Sequence, residues 1–542
     1  MFMDYKISLI TINMAYRPIQ ARGGNRKSQA LTLMAPKGEN LRDLPQLLDT
    51  NYAQRIRNLL IDASGQMYKR GGLEKIIDTA GTEAITMIVK FDADDWIFAY
   101  GTTVSRYNFT TETVTVLKND FVLSSDGPGI SGVRYGEYVF VVSGAGKVWR
   151  MDNTFAFTEV AASPSNSRCI TVAGNRIAVG DHLGTVTYSE VDDGTDPPFN
   201  TWTTGTIATA AGTAQYRNGG AINSLVTLGN NIVVFSENGK FAFYIDQIDL
   251  GGTISKIERE VIARTDYGGF RGAIQTKKGL YYVNEAGLWN LAALGQPGID
   301  NTDQEAKVTL LLGGQYFDGK DLSGATLAFD PAKNTVYVSL RNGSDVNNYM
   351  LAYNTDTQAV SEITGWNIGT FMTVGDTIYG GSSVATKIYE CFTGHDDDGS
   401  EIGIEYIQEL TVGTPYTKKS LDGIYVQGFL SESQTVNVKL DIYDVQGRPI
   451  NNKLVLEWSS QYNNNTQAGY NGADYSGASY NGDYDLAGMI ESFDGATDKI
   501  RNFQRVRLHI TNSDKLPLVL NWVSLLTTEK ARIRRRKLTN VT

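Results

Sequence analysis

The chain has 542 residues, 41% hydrophobic and 20% charged, so it is long enough for two to four domains with well-filled cores, and its composition is that of an ordinary globular protein. Two cysteines, Cys169 and Cys391, exclude a disulfide framework and read as small buried hydrophobes; no window of about 18 uninterrupted apolar residues offers a membrane-spanning helix, so no membrane insertion is expected. The formal net charge is −10, yet Lys530, Arg532, Arg534, Arg535, Arg536 and Lys537 crowd the C-terminus and leave the remainder at −16, a balance that excludes tight sequence-reading DNA binding by the body but not a channel through which DNA slides.

Residues 1–30 are polar and irregular around Arg22–Lys27 and read as a flexible arm or an extended partner-binding segment. Met1–Ile12 carries Asp4 and Lys6 and lacks the pattern of a signal peptide, so synthesis and assembly in a cytoplasm are expected. Residues 31–84 lead into the first repeat; within them 46–64 predicts one short helix, with Asp49 as N-cap and Gly65 just past its end.

From 85 to 395 an apolar β-branched or aromatic run, a Gly, Asn or Asp turn and a second aromatic-rich run recur. The pairs are Trp96–Tyr100 with Ser105–Tyr107, Tyr138–Val142 with Lys147–Arg150, and Arg176–Val179 with Val186–Tyr188. Ile232–Phe235 with Phe241–Tyr244, Leu280–Val283 with Leu288–Trp289, Val336–Val338 with Tyr349–Tyr353, and Ile378–Tyr379 with Lys387–Tyr389 continue the series. A spacing of about 40–55 residues is that of propeller blades, which bury their faces by stacking around an axis. The chain therefore predicts an all-β fold: a β-propeller of six or seven blades over 85–395, with two successive β-sandwiches as the rival arrangement.

Beyond residue 400 the spacing changes. Ile402–Val412, Gly423–Phe429, Val436–Tyr443, Leu454–Trp458, Arg505–Thr511 and Leu516–Leu526 predict an antiparallel β-sandwich platform over 400–528. It is interrupted by a Tyr/Gly-rich loop, 461–485, in which Tyr470, Tyr475 and Tyr480 repeat every five residues. Such a segment builds no core of its own, and its tyrosines are candidates for partner contact. The basic tail, 529–542, reads as a phosphate contact, as a dock for an acidic patch on a neighbouring subunit, or as a solvated end.

Candidate chemistry is sparse. His182, His395 and His509 lie far apart with no spaced ligand or orienting carboxylate, and no Gly cluster is followed by the Lys-Ser/Thr of a phosphate-binding loop. His395–Glu401, with Asp396, Asp397 and Asp398 before Gly399, offers hard oxygens suited to Ca²⁺ but lacks the twelve-residue loop pattern, and a solvated acidic linker is the plainer reading. Asp92–Asp95 reads as an exposed turn. Ser189–Trp202 bears a faint likeness to the Asp-box turn of sialidase propellers, but a single irregular copy reads as a structural turn. No catalytic residue, cofactor or metal is expected.

Ala35–Asp43 continues to Leu48-Asp49, Tyr52-Ala53 and Asn58-Leu59 and ends in Gly65–Gly72. This stretch resembles the opening of the tail nozzle (tail tubular protein B) family of short-tailed bacteriophages, with Gly71 standing where that family usually has Pro. Asn175–Ile177 through Tyr188-Ser189 to Trp202, Ile222–Val226 with Ile232–Ser236, Tyr267–Gly269 with Gly279–Val283 and Gly287-Leu288, and Lys418–Ser420 with Val436–Val438 resemble later parts of the same family. The resemblance implies a virion tail component, made in the host bacterial cytoplasm, that forms a homo-hexameric ring below the portal adaptor. Such a ring extends the DNA channel, retains the packaged genome and opens for ejection. The expected partners are the adaptor (head-to-tail connector) ring and double-stranded DNA passing without sequence recognition, with tail fibres as a further candidate. Two other readings remain open from the residues alone: a glycan-binding surface propeller with aromatic platforms, and a propeller glycosidase with paired carboxylates.

Overall fold

A computed structural model describes residues 26–33, 37–40, 51–125, 127, 129–215, 220–229, 231–249, 254–265, 272–291, 308–312, 316–412, 418–430, 434–444, 447–459, 485–492, 500–501, 503 and 505–530. Among these residues there are forty strands and no α-helix. The repeats of the sequence become four-stranded antiparallel blades: the first is Ile85–Lys90, Asp95–Tyr100, Thr103–Asn108 and Thr113–Lys118, and the second Ser131–Tyr135, Tyr138–Val142, Trp149–Met151 and Phe157–Glu159. Three further blades of the same order follow, beginning at Cys169–Ala173, Ile222–Leu228 and Ala273–Thr276.

Each apolar run of the sequence is the second strand of a blade, and its burial explains its composition. Val139, Phe140, Val141 and Val142 are all fully buried, as are Ile97, Phe98 and Ala99. A strand flanked by neighbouring blades on both faces has no polar side, so alternation gives way to a continuous apolar run. The outermost strand of the first blade, Thr113–Lys118, is largely exposed.

Seven apolar clusters fill the seven interfaces between blades. Met87, Ile97 and Ala99 pack on Val139 and Val141 between blades one and two, and Phe140 and Val142 on Ile177 and Val179 between two and three. The series continues through Ala178 with Ile232, Val233 with Tyr282, Val283 with Val336, and Tyr337 with Ile378. Ile77 and Ile388 close it against Ile85, Trp96 and Phe98 of the first blade. The propeller therefore has seven blades, and the two-sandwich arrangement over 85–395 is displaced.

Closure comes from the lead-in segment. The seventh blade is Ile368–Val374, Thr377–Ser382 and Lys387–Thr393, completed on its outer edge by Gly72–Asp78 from before the first blade. The sixth, Asp321–Asp330, Thr335–Arg341, Asn347–Asn354 and Val360–Thr364, continues into a nine-stranded sheet. Its last strand pairs in parallel with Arg55–Arg57, which pairs on its other side with Ile404–Thr411, followed by Arg505–Asn512, Thr435–Tyr443 and Pro449–Ser459. One short strand thus joins a blade to the platform.

The platform is a sandwich. Its second sheet pairs Leu518–Lys530 with Lys418–Leu430 on one side and with Met67–Lys69 and Arg26–Leu33 on the other. The core between the sheets holds Ile56, Leu59, Tyr406, Leu421, Val438, Leu508, Leu520 and Leu525.

Three expectations change. Residues 46–64 hold no helix over their described part: Arg55–Arg57 and Leu59–Ile61 are strands, because Ile56, Leu59 and Ile61 each meet an apolar sheet face. The arm of residues 1–30 is not irregular throughout, since Arg26–Leu33 is a strand laid against Val523–Lys530. Residues 31–84 do not merely precede the propeller; they supply strands to both sandwich sheets and to blade seven.

Candidate functional site at the propeller–sandwich junction

The segment 55–72 passes between the last two blades and the sandwich, and a single cation organises the crossing. The Arg70 side chain is fully buried. All five of its N–H groups have partners: Nε donates to Asn58 Oδ1 at 2.9 Å, Nη1 to Gly71 O at 3.0 Å and Asp397 Oδ1 at 2.8 Å, and Nη2 to Thr364 O at 3.0 Å and Asp397 Oδ2 at 2.6 Å. Trp366 donates its indole N–H to Asp397 Oδ1 at 2.7 Å, and the guanidinium lies 4.5 Å from the Trp366 ring centroid. A buried charge persists only when it is paired and saturated with hydrogen bonds, and Arg70 meets both conditions.

Asn58 is the second hub. It sits at φ 54°, a left-handed conformation that Asn tolerates, between Arg55–Arg57 and Leu59–Ile61. From there its Oδ1 also accepts from Thr364 N at 3.0 Å, while Nδ2 donates to Gly403 O at 2.7 Å. Gly71 and Gly72 are required by the space they occupy: a Cβ on Gly72 would lie 1.6 Å from Asp396 O, and one on Gly71 2.2 Å from Phe392 O. The Arg70-Gly71-Gly72 triplet that closes the family-like stretch is therefore the joint itself.

Within the acidic segment after His395, Asp396 and Asp397 belong to this joint, while Asp398–Glu401 are exposed, as a solvated linker would be. Leu73 N donates to Asp396 O at 3.0 Å, Asp398 N to Leu73 O at 2.9 Å, and the Asp397 carboxylate is committed to Arg70 and Trp366. Among the described residues no group of three or more His, Cys, Asp or Glu is placed to hold a metal.

A second polar cluster lies where residues 37–40 meet blade six. Glu39 donates its backbone N–H to Val360 O at 2.8 Å and its Oε2 accepts from Ile56 N at 3.2 Å, while Oε1 has no hydrogen-bond partner. Burial, and then the neighbouring Glu362 carboxylate, hold the Glu39 carboxyl well above its usual range. Glu362 accepts from Tyr349 OH at 2.6 Å. Arg57 bridges the two bodies, 3.6 Å from Glu362 of blade six and 3.2 Å from Glu405 of the sandwich. Nearby, burial lowers Lys69 to about 8 although its ammonium donates to Asp514 O. His509 contacts Glu405 at 3.2 Å on the sandwich face, so it serves the same charged network.

The remaining motifs have structural work. Residues 189–211 stitch blade two to blade three: Arg150 donates to Asn200 Oδ1 at 2.6 Å, Tyr135 OH to Asp192 Oδ2 at 2.8 Å, and Phe199 packs between Tyr135 and Phe140. Asp95 is not in an exposed turn; it is buried at the start of a strand and takes a two-bond contact from Arg106 at 2.6 and 2.8 Å. Both cysteine thiols are buried, and burial pushes that of Cys391 far up, which makes it a poor nucleophile.

Of the candidate partner contacts, Lys530 ends the last sandwich strand. Arg532, Arg534, Arg535, Arg536, Lys537, Tyr470, Tyr475 and Tyr480 lie outside the described residues. A cavity of about 150 Å³ lies between blades six and seven, lined by Asp330, Lys333, Asp376, Glu390 and Phe392 among others. Pockets for small molecules usually hold about 300–1,000 Å³, so this one is undersized for a sugar. Sequence reasoning missed Asn58, Glu39, Lys69 and Trp366 as junction groups. The one available signal was the pair of glycines, Gly71 and Gly72, directly after Arg70, the mark of a tight backbone crossing.

No family model matches the chain, and no curated protein matches it. The solved structures similar to it share low sequence identity. The WD40 β-propeller domain of Doa1 shares 10% identity over 59% of this chain and 96% of its own, with a TM-score of 0.38. BamB from Moraxella catarrhalis shares 13% over 60% and 98%, with a TM-score of 0.33. The extracellular domain of a one-component system from B. thetaiotaomicron shares 11% with a TM-score of 0.41, and the chain spans 43% of that protein's length. The strand pairing itself defines the class of the protein, an all-β propeller with an attached β-sandwich.

Proposed function

We propose that this chain is a structural subunit of a short-tailed phage tail, a nozzle protein whose copies form a six-fold ring below the portal adaptor. The observation that carries the reading is the joint. The stretch on which the family resemblance rests, Ala35–Gly72, contributes Glu39, Arg55–Arg57, Asn58 and Arg70 to the crossing that binds propeller and sandwich. A subunit that must bear load in a channel wall needs its two bodies fixed together. A shared nine-stranded sheet and a buried Arg–Asp pair supply that. The negative body suits a lumen that repels the phosphate backbone and keeps a duplex mobile. Opening for ejection would be a rearrangement between two packed states. On this reading the protein catalyses nothing, resides in the virion tail and is made in the host bacterial cytoplasm.

The glycan-binding alternative rests on aromatic platforms, and among the residues whose side chains are described no Phe, Tyr or Trp is exposed. The deciding experiment is electron microscopy of the purified chain, alone and with the portal–adaptor ring of the same genome. A six-fold collar extending the adaptor channel is expected. A particle that ignores the adaptor overturns the reading and turns attention to saccharide binding and hydrolysis.

A further inference from the structure

Beside Arg70, an amine, a carboxamide and a carboxyl group meet inside the sandwich. Lys69 ends the short strand Met67–Lys69 of the second sheet, and Asn512 ends Arg505–Asn512 of the first. The two residues are 443 positions apart in sequence, yet Lys69 Nζ stands 3.5 Å from Asn512 Oδ1. Lys69 is 7% exposed and Asn512 4%. The Asn512 carboxamide is fixed at both its oxygen and its nitrogen: Oδ1 accepts from Asp514 N at 3.2 Å, and Nδ2 donates to Asp514 Oδ2 and to Thr435 O, each at 2.8 Å. Asp514 Oδ2 also accepts from Thr435 N at 3.1 Å, while Lys69 Nζ donates to the Asp514 backbone oxygen. The carboxylate is thus turned to the amide and not to the ammonium.

Each contact matches a role in acyl transfer. A nitrogen nucleophile faces the amide group, an N–H stands at the oxygen where negative charge develops, and a carboxyl oxygen touches the nitrogen that must leave. Burial lowers Lys69 to about 8 and Arg70 adds to this, while Asp514, Asp397 and Glu401 act against it. Roughly a tenth of the amine is therefore neutral and nucleophilic at neutral pH. We propose that Lys69 and Asn512 form an isopeptide bond within the chain, with Asp514 carrying the proton. The neutral amine attacks Asn512 Cγ, the Nζ–Cγ bond forms, and the carbonyl electron pair moves onto Oδ1 beside the Asp514 N–H. Nζ then sits on the carbon that bears Nδ2, so the Asp514 carboxylate reaches both; it takes one proton from Nζ and delivers it to Nδ2. The electron pair returns, the Cγ–Nδ2 bond breaks and ammonia leaves. An amine and a primary amide become a secondary amide and ammonia, with no oxidant, cofactor or metal. The chain is its own substrate and reacts once. The bond ties the two sandwich sheets together and closes a covalent loop that contains all seven blades. A cross-link restricts the unfolded chain more, the longer the loop it closes. The linked chain has no amine to titrate at 69, so the pH dependence of Lys69 belongs to the unreacted chain.

The test is the intact mass of the full chain under denaturing conditions, taken when freshly purified and again after days near pH 8, where about half of the amine is neutral. A mass short of the sequence by one ammonia is expected. Trypsin is then expected to release residues 58–70 joined to 508–515 as one branched peptide, because the modified Lys69 is no longer cut. Lys69→Arg keeps the cation and is expected to hold the full mass, as is Asn512→Ala. Asp514→Asn keeps both reacting groups and is expected to slow the loss of ammonia by about a hundredfold or more. The parent chain carries the decisive reading, so a variant that fails to fold leaves the test intact. A parent chain that retains its full mass overturns the inference. Loss of ammonia that maps to an Asn-Gly pair such as Asn342-Gly343 also overturns it, since succinimide closure there sheds the same molecule. Loss at the parent rate in folded Asp514→Asn overturns the proton path.

Discussion

Blades one to five and the joint around blades six and seven are built from the same kind of strand but held in different ways. In the first five blades every strand pairs with its neighbour in sequence, and apolar clusters between adjacent repeats supply the cohesion. At the joint, strands from 55–57, 72–78 and 404–411 meet across most of the chain, and charged groups sit inside the contact. Repeats spread their stability over many interchangeable methyl groups. A closure that draws on both ends of the chain concentrates it in a few groups with exact partners. Substitutions should therefore be most costly at the joint and mildest on blade rims.

The largest effect is expected from Arg70→Ala. It removes five hydrogen bonds and leaves the Asp397 carboxylate, 11% exposed, without its cation. Breaking a buried pair from one side costs about 3–5 kcal/mol. Chemical denaturation followed by tryptophan fluorescence is expected to show a separate early transition as blade seven and the sandwich part company. A single transition within about 0.5 kcal/mol of the parent protein would mean that the joint is held by strand pairing alone.

The same structural position in two blades gives the next contrast. Ile77 lies on the outermost strand of blade seven, 1% exposed and packed on Ile388 and Trp96, whereas Val116 lies on the outermost strand of blade one, 52% exposed. Ile77→Ala is expected to cost about 2–4 kcal/mol, and Val116→Ala less than about 0.5. Equal losses in thermal melts of the two variants would show that closure from the lead-in segment carries no special weight.

This contrast also explains what could be read from the sequence. Each blade announced itself because its second strand is buried on both faces, so Val139–Val142 or Ile232–Phe235 stand out as unbroken runs at a regular interval. The sandwich strands after 400 alternate cleanly, as Val436, Val438, Leu440 and Ile442 do on one face, and were legible for that reason. Closure was not. Gly72–Asp78 reads Gly-Leu-Glu-Lys-Ile-Ile-Asp, with no alternation that says which sheet it joins, and Arg55–Arg57 is too short to carry a period. The acidic stretch 396–398 looks solvated in one dimension because its partner, Arg70, lies more than three hundred residues earlier. A pairing of that range leaves no local trace in a single sequence.

Lys69 gives a titration specific to the joint. Its folded value, about 8, lies below its ordinary 10.5 because burial disfavours the ammonium. Between those values the unfolded chain binds a proton that the folded chain has released, so this group makes stability rise with pH across that window. Lys69→Met removes the term. The stability gap between parent and variant is expected to move by about 2–3 kcal/mol in the parent's favour from the bottom to the top of the window. A constant gap would mean that the hydrogen bonds to Asp514 and Asn512 hold the ammonium as well as water does.

Glu39 titrates at the same joint and runs with the opposite sign. Burial and the Glu362 carboxylate raise its folded value above the ordinary 4.5, while the Ile56 amide and the Arg55 and Arg57 guanidinium groups act against them. Above pH 4.5 the folded chain keeps a proton that the unfolded chain has lost, so the stability tied to that proton falls as pH rises toward the folded value. Glu39→Gln copies the neutral carboxyl and should be flat over the same range. The two proteins are expected to melt alike near pH 4.5 and to separate, variant above parent, by neutral pH. The blade-one pair Asp95–Arg106 supplies the control. Its carboxylate has a close cation, so loss of that charge in Asp95→Asn should lower stability at neutral pH. If both substitutions lowered it, Glu39 would be a charged partner of Arg55 and Arg57, and the joint would differ from the blades only in its strand connections.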